Sequence, residues 1–126
     1  MLTPITLEWD VTNPDGTQGS GALLFQLSQL VDGIYVPVSI TDSTSGETVE
    51  PVVIAGNLYF GQLLSTQPGQ PPQTLIANDD STTTPVGTVY LVTEKLAAGS
   101  LDPWPLTVPH TAPGGVLNIS SQRPTP

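Results

Sequence analysis

The chain has 126 residues, of which 37% are hydrophobic and only 10% are charged, against roughly 25% charged residues in an average globular protein. Eleven acidic residues and two basic ones, Lys95 and Arg123, give a formal net charge of −9, which excludes the basic patches that bind nucleic acid or anionic membranes. The chain has no cysteine, so disulfides, thiolate metal sites and a cysteine nucleophile are also excluded.

This length predicts one domain with a single core. No run approaches the roughly 18 consecutive apolar residues of a membrane span. The first residues have neither the basic nor the apolar region of a secretory signal, so we expect none.

Two strands and a turn open the chain. Residues 5–11 alternate strictly between apolar and polar side chains, which predicts a half-buried strand. Residues 13–16, Asn-Pro-Asp-Gly, predict a turn, because Pro presets φ and Gly accepts a positive φ. Residues 21–27 predict a second strand whose inward side chains are Leu23, Phe25 and Leu27.

A hairpin is predicted next. Asp32-Gly33 separates Leu30-Val31 from Ile34-Tyr35-Val36, which is the signal of a two-residue type I′ turn. Pro37 cannot donate a ladder hydrogen bond, so the second arm is expected to be an edge strand or to end there.

The middle of the chain predicts two further strands. A polar loop at 41–46 precedes a strand at 48–54, which Pro51 interrupts. The residues Ala55-Gly56-Asn57 predict a tight turn that leads into a strand at 58–64.

Residues 65–85 are expected to form the longest irregular segment. This segment is rich in Pro, Gln and Thr, and only Leu75-Ile76 could anchor it to the core. A solvated loop is the simplest interpretation, although long loops also often carry binding residues.

The strongest strand signal is Gly87–Leu96, which is rich in β-branched and aromatic residues. Both of its faces carry apolar side chains, Val89 and Leu91 on one and Tyr90 and Val92 on the other, so we expect a central strand. Glu94 lies near the strand end and is interpreted as a structural carboxylate rather than a catalyst.

The remaining elements are short. A proline-bracketed turn is predicted at 102–105, a strand at 106–108, a turn at 113–115 and a strand at 116–119. The predicted fold is therefore an all-β, single antiparallel β-sandwich of roughly seven to nine strands without a substantial helix. The sandwich would span residues 1–119, and residues 120–126 would form a polar tail.

Few residues point to chemistry. His110 is the single histidine and lies in a predicted loop, so neither a catalytic triad nor a zinc site is supported. The pair Asp79-Asp80, with Asp42 or Asp102, could bind Ca²⁺ through oxygen ligands or act as a glycosidase carboxylate pair. Turn formation by Asn78 and the two aspartates is the simpler interpretation. We therefore predict no enzyme activity, no metal and no cofactor.

Trp104 has two interpretations. The flanking Pro103 and Pro105 are expected to keep it out of a strand ladder, which could leave its ring exposed for stacking on a sugar or docking on another subunit. Alternatively, the ring folds back over one end of the sandwich.

A resemblance covers much of the chain in short motifs. The run at 77–96, which contains Asn-Asp-Asp, a proline and Tyr-Leu-Val-Thr-Glu, is followed by Leu-Thr-Val-Pro at 106–109 and Gly-Val-Leu-Asn-Ile at 115–119. This order resembles a module in virion proteins of tailed bacteriophages that infect actinobacteria. The resemblance implies an immunoglobulin-like or transthyretin-like sandwich. The hairpin at 32–33 and the Gln/Pro-rich segment at 65–73 depart from the module, and we expect the module to stand alone, without a fibre shaft or an enzymatic domain.

The resemblance and the composition predict a non-enzymatic virion protein, namely a minor capsid or decoration protein that docks on the assembled particle. Its partners would be the major capsid or tail protein and copies of itself. The alternative is a tail- or fibre-associated module that binds a receptor or a host cell-surface glycan. The candidate interaction residues are Met1, Leu2, Asp79, Asp80, Trp104 and Pro124.

Overall fold

The computed structural model describes residues 3–9, 21–59, 62–65, 73–78, 83–85, 87–96 and 100–124. Within these ranges there are twelve β-strands, two short 3₁₀ segments (Pro113–Gly115 and Ile119–Gln122) and no helix of seven or more residues. The strands are β1 (Pro4–Glu8), β2 (Gly21–Val31), β3 (Ile34–Pro37), β4 (Ile40–Asp42), β5 (Thr48–Val49), β6 (Ile54–Tyr59), β7 (Gln62–Ser65), β8 (Thr74–Ile76), β9 (Thr83–Thr84), β10 (Thr88–Leu96), β11 (Trp104–Leu106) and β12 (Val116–Asn118). The predicted all-β class is confirmed.

The largest sheet has the strand order β11-β10-β2-β6-β7, and β3 also pairs with β2. All of its pairings are antiparallel, and the longest joins β2 to β10 from Gly21↔Leu96 to Gln29↔Thr88. The prediction that 87–96 forms a central strand is confirmed, since β10 has a neighbour on each side.

Two smaller sheets complete the fold, with strand orders β12-β1-β8 and β5-β4-β9. Their pairings are antiparallel, apart from β1 and β12, which run parallel. The arrangement is consistent with a β-sandwich. The strands β4, β8 and β9 lie in segments that were expected to be loops.

The core follows the predicted alternation. Leu23, Phe25 and Leu27 of β2 are buried, as are Tyr90 and Val92 of β10. From the smaller sheet, β1 and the residue after it bury Ile5, Leu7 and Trp9. The Tyr90 hydroxyl donates a 2.8 Å hydrogen bond to the carbonyl of Ile76 in β8, which ties the large sheet to the small one.

The predicted hairpin is confirmed. Val31 pairs with Ile34 across the two-residue loop, and both Asp32 (φ 50°) and Gly33 (φ 80°) have the positive φ that a type I′ turn requires. Pro37 ends β3, as expected.

The turn predicted at residues 55–57 is wrong, because β6 runs through them to Tyr59 and pairs with β7 as far as Tyr59↔Gln62. The side chains of Leu63 and Gln73 pack closely around Gly56. A Cβ there would lie 3.0 Å from Leu63 Cδ1 and 3.2 Å from Gln73 Oε1.

Within the segment predicted to be irregular, 65–85, the described residues include the strands β8 and β9. Leu75 pairs with Ile5 and is buried, so the expected anchor at Leu75-Ile76 is confirmed. The predicted strand at 106–108 is shifted to Trp104–Leu106, and the last strand ends at Asn118, where a 3₁₀ helix begins.

We predict that Gly21→Ala destabilises the fold by at least about 3 kcal/mol. A Cβ on Gly21 would overlap the Lys95 carbonyl oxygen and lie 2.9 Å from the Leu96 Cα, main-chain atoms that cannot rotate away. The residue also has φ +132°, which L side chains rarely adopt. Urea denaturation measures the loss. Gly46→Ala is the control, because Gly46 has φ +75° but no atom within 4 Å of the added carbon. An equal loss in both variants would contradict the close approach of β2 and β10.

Candidate functional site

A buried ion pair joins the end of β10 to the C-terminal segment. Arg123 donates from Nε to Glu94 Oε2 at 2.6 Å and from Nη2 to Oε1 at 2.9 Å. The Leu101 N–H donates to Oε1 at 2.8 Å, and Trp104 Nε1 donates to Oε2 at 2.9 Å. The carboxylate therefore accepts four hydrogen bonds, two at each oxygen.

The surroundings of Glu94 favour its charged form. Burial by itself would raise the pKa of Glu94, but the hydrogen bonds from Arg123, Leu101 and Trp104 and the positive charge of Arg123 outweigh burial and hold the pKa below its usual value. The hydrogen bonds to Glu94 raise the pKa of Arg123. Both groups are thus ionised at neutral pH.

This cluster connects three parts of the fold. Arg123 Cζ also lies 5.7 Å from the centre of the Trp9 ring, within cation–π range. The C-terminal segment therefore packs against both β10 and the residue that follows β1. Because four donors occupy Glu94, it has little capacity left to act as an acid or a base, in agreement with its interpretation as a structural carboxylate.

Of the two candidate interaction residues that the structure describes, Trp104 lies in this cluster. Its side chain is 2% exposed, and the residue pairs with Val92 of β10. The expectation that the prolines keep it out of a ladder is wrong, because β11 is an edge strand, where Pro is tolerated. The buried ring offers no face to a sugar or to a neighbouring subunit.

Among the other candidate residues, Pro124 is the one that the structure describes. Pro124 is exposed, whereas Met1, Leu2, Asp79 and Asp80 lie outside the described residues. Asn78, just before the acidic pair, is buried and joins two segments. Its Nδ2 donates to the Thr88 carbonyl and its Oδ1 accepts from the Val108 N–H, each at 2.9 Å.

Asp42 and Asp102 are the carboxylates named for calcium binding that lie within the described residues. The buried Asp42 accepts from the Thr44 N–H and the Ser45 hydroxyl, both at 3.0 Å, which shapes its own turn. Asp102 and His110 are exposed. Among the described residues, no group of three or more His, Cys, Asp or Glu side chains could hold a metal ion.

The feature that sequence reasoning missed is an apolar surface on the β2–β3 hairpin. Leu30 is 54% exposed, Val31 46%, Ile34 68% and Val36 43%. Val31, Ile34 and Val36 share one face of the hairpin, and we call these three residues the hairpin patch, whereas Leu30 lies on the opposite face beside Tyr35. Val52 and Val53 precede β6, which pairs with the same side of β2 as β3 does, and they are more than half exposed as well. A group of exposed large apolar side chains is characteristic of an interaction surface.

The cross-strand register explains the exposure. Directly opposed residues share a face of the sheet, and the pairs are Val31↔Ile34, Gln29↔Val36 and Leu30↔Tyr35. Val31, Ile34 and Val36 therefore continue the face that buries Phe25 and Leu27 nearer the middle of β2. The hairpin extends past the core, and its core-side face is left uncovered.

Comparisons of the chain with protein-family models, with curated proteins and with solved structures give no match. No helix in the described ranges is long and apolar enough to cross a membrane.

We predict that Arg123→Met lowers the free energy of unfolding by about 3 kcal/mol, because it leaves the buried Glu94 carboxylate without its counter-ion. Urea denaturation at neutral pH measures the loss. Lys95→Met is the matched control, since Lys95 is exposed and is the other basic residue of the chain. Equal small losses in the two variants would contradict a stabilising role for the ion pair.

We predict that the stability advantage of the native chain over Glu94→Gln shrinks on acidification. The pKa of Glu94 is lower in the folded state than its ordinary value of 4.5. The carboxylate's contribution is therefore complete above the unfolded-state pKa and is lost as the pH falls through the folded-state pKa. Urea denaturation of both proteins between about pH 7 and pH 3 measures the difference. A constant difference over this range would contradict the assignment.

Proposed function

We propose that this chain is a non-enzymatic structural protein of a bacteriophage virion, namely a minor capsid or decoration protein that docks on the assembled particle. The observation that carries the proposal is the hairpin patch, a group of exposed apolar side chains on an otherwise closed domain. The hairpin patch, extended by Val52 and Val53, is the proposed docking surface for other virion proteins.

The interior supports a structural role. Glu94 accepts four hydrogen bonds, and both functional atoms of the Asn78 amide are bonded to backbone groups. Each of these polar groups connects segments that are distant in the sequence. They stabilise the fold and are not exposed to a substrate.

The composition supports permanent assembly. Charged groups are costly to remove from water at an interface, and the cores of protein interfaces are depleted in charged residues. Only 10% of this chain is charged, and within the hairpin itself Asp32 is the one charged residue. Covering the hairpin patch would therefore remove apolar surface from water and desolvate few charges.

The resemblance to virion modules of tailed bacteriophages supplies the biological setting, and it supports a virion location. The glycan-binding alternative depended on Trp104 together with Asp79 and Asp80. Burial of the Trp104 ring removes the stacking surface from that alternative, so we favour docking on the particle.

We predict that the protein purifies with particles of the phage that encodes it, at a fixed copy number set by capsid or tail symmetry.

The double variant Ile34→Thr/Val36→Thr should bind particles at least about tenfold more weakly, because it reduces the apolar area available for burial. Thr is β-branched, so the strand itself should be retained. Co-sedimentation of purified protein with particles that lack it measures the binding.

Val116→Thr is the matched control, since Val116 is also exposed but lies on β12 in another sheet. Equal weakening by the control would show that the hairpin is not the docking surface. If the protein is absent from most particles and instead binds host cell-wall glycans on an array, the virion docking proposal is abandoned.

A further inference from the structure

The outer edge of β3 has a definite hydrogen-bonding pattern that follows from the register. The Val38 N–H donates to the Leu27 carbonyl at 3.1 Å. Antiparallel strands alternate between hydrogen-bonded and non-hydrogen-bonded pairs, and the β2–β3 pairs continue the register of Leu27 and Val38. The N–H and C=O groups of Ile34 and Val36 therefore point toward β2, whereas those of Tyr35 point outward.

The outward groups of β3 have no partner strand among the described residues, because β3 pairs only with β2. The edge offers the Tyr35 N–H and C=O and the Pro37 carbonyl, while Pro37 has no N–H to donate. The adjacent side chains of Ile34 and Val36 are exposed. Such an unpaired edge is a template for another strand.

We propose that β3 pairs with β3 of a second copy of this chain, antiparallel and centred on Tyr35. Each Tyr35 would donate its N–H to the Tyr35 carbonyl of the second copy, which forms the hydrogen-bonded pair that the pattern of β3 requires. The inference rests on the proposed function only in treating the hairpin as an assembly element, and it names one partner of that hairpin.

The side chains match in this register. Ile34 lies opposite Val36 of the second copy on one face, and Val36 lies opposite its Ile34. On the other face the two Tyr35 rings are neighbours. Cross-strand apolar and aromatic pairs of this kind stabilise antiparallel sheets.

Charge is the main obstacle to contact between two copies that each carry −9. In the centred register, the two Asp32 carboxylates lie six residues apart along the strands, about 20 Å at roughly 3.4 Å per residue. That separation exceeds the Debye length of about 8 Å at physiological salt. The edge of β3 can therefore approach a second copy without placing like charges side by side.

The contact would form a closed dimer with two-fold symmetry, because both copies use the same edge. Pairing of four-residue strands buries much less than the about 1,200 Å² of a stable interface, so the dimer should be weak in solution. Edge pairing leaves the faces of both hairpins open. The dimer would thus present two hairpin patches side by side to a particle.

The test compares Tyr35→Pro with Tyr35→Val in the isolated protein. Pro removes the outward N–H without removing a hydrogen bond to β2, and Pro is tolerated where the N–H of an edge strand points outward. Val keeps the N–H and the strand preference but removes the ring. Sedimentation velocity over a concentration series measures the dimer affinity, and we expect Tyr35→Pro to weaken it at least about tenfold more than Tyr35→Val does.

Amide hydrogen exchange of the native chain provides a second measurement that needs no variant. The Tyr35 amide should exchange at least about tenfold more slowly at high protein concentration than at low concentration. A chain that stays monomeric at about 1 mM, with Tyr35 exchange independent of concentration, would overturn the inference. A dimer of unchanged affinity in Tyr35→Pro would overturn it too. Because neither measurement uses particles, a failure here is distinct from a failure to bind the virion.

Discussion

Glu94 lies on the inward face of the central strand, where a carboxylate is costly unless a cation and hydrogen-bond donors surround it. That requirement determines the position of several other segments. Arg123 brings the C-terminal segment back to β10, and Trp104 places β11 beside it. The Leu101 N–H fixes the connection between the two strands. The same guanidinium packs on Trp9, so the first and last parts of the chain are held at one point.

The distribution of charged and apolar side chains is partly the reverse of that in most globular proteins. At least three of the few charged residues, Glu94, Arg123 and Asp42, are used inside the domain, whereas apolar side chains are exposed on the β2–β3 hairpin. The interior arrangement stabilises the closed domain and gives it a defined shape. These exposed side chains are the basis on which we propose contacts with other molecules and a structural role in a permanent assembly.

Local sequence signals predicted the structural elements that depend on residues close together in the sequence. The composition of 87–96 identified the central strand, and Asp32-Gly33 identified the hairpin. The local signals failed where residues distant in the sequence determine the structure. Gly56 suggested a turn, but it lies inside β6, where Leu63 and Gln73 pack closely against it. The ion pair between Glu94 and Arg123 could have been inferred from the sequence. Lys95 is adjacent to Glu94 and points to the opposite face of β10, so Arg123 is the remaining Lys or Arg residue that could pair with Glu94. Composition alone assigned Arg123 to a polar tail.

The parallel pairing of β1 with β12 connects residues that are more than a hundred positions apart, as in Thr6↔Val116. Contacts so distant in sequence form slowly, because a long stretch of chain must be ordered first. The β2–β10 ladder joins residues that are closer in sequence, from Gln29↔Thr88 to Gly21↔Leu96, so it can form before β1 pairs with β12. We therefore expect the domain to mature in two stages, in which the large sheet forms first. The N-terminal strand β1 would then be enclosed only when β12 pairs with it.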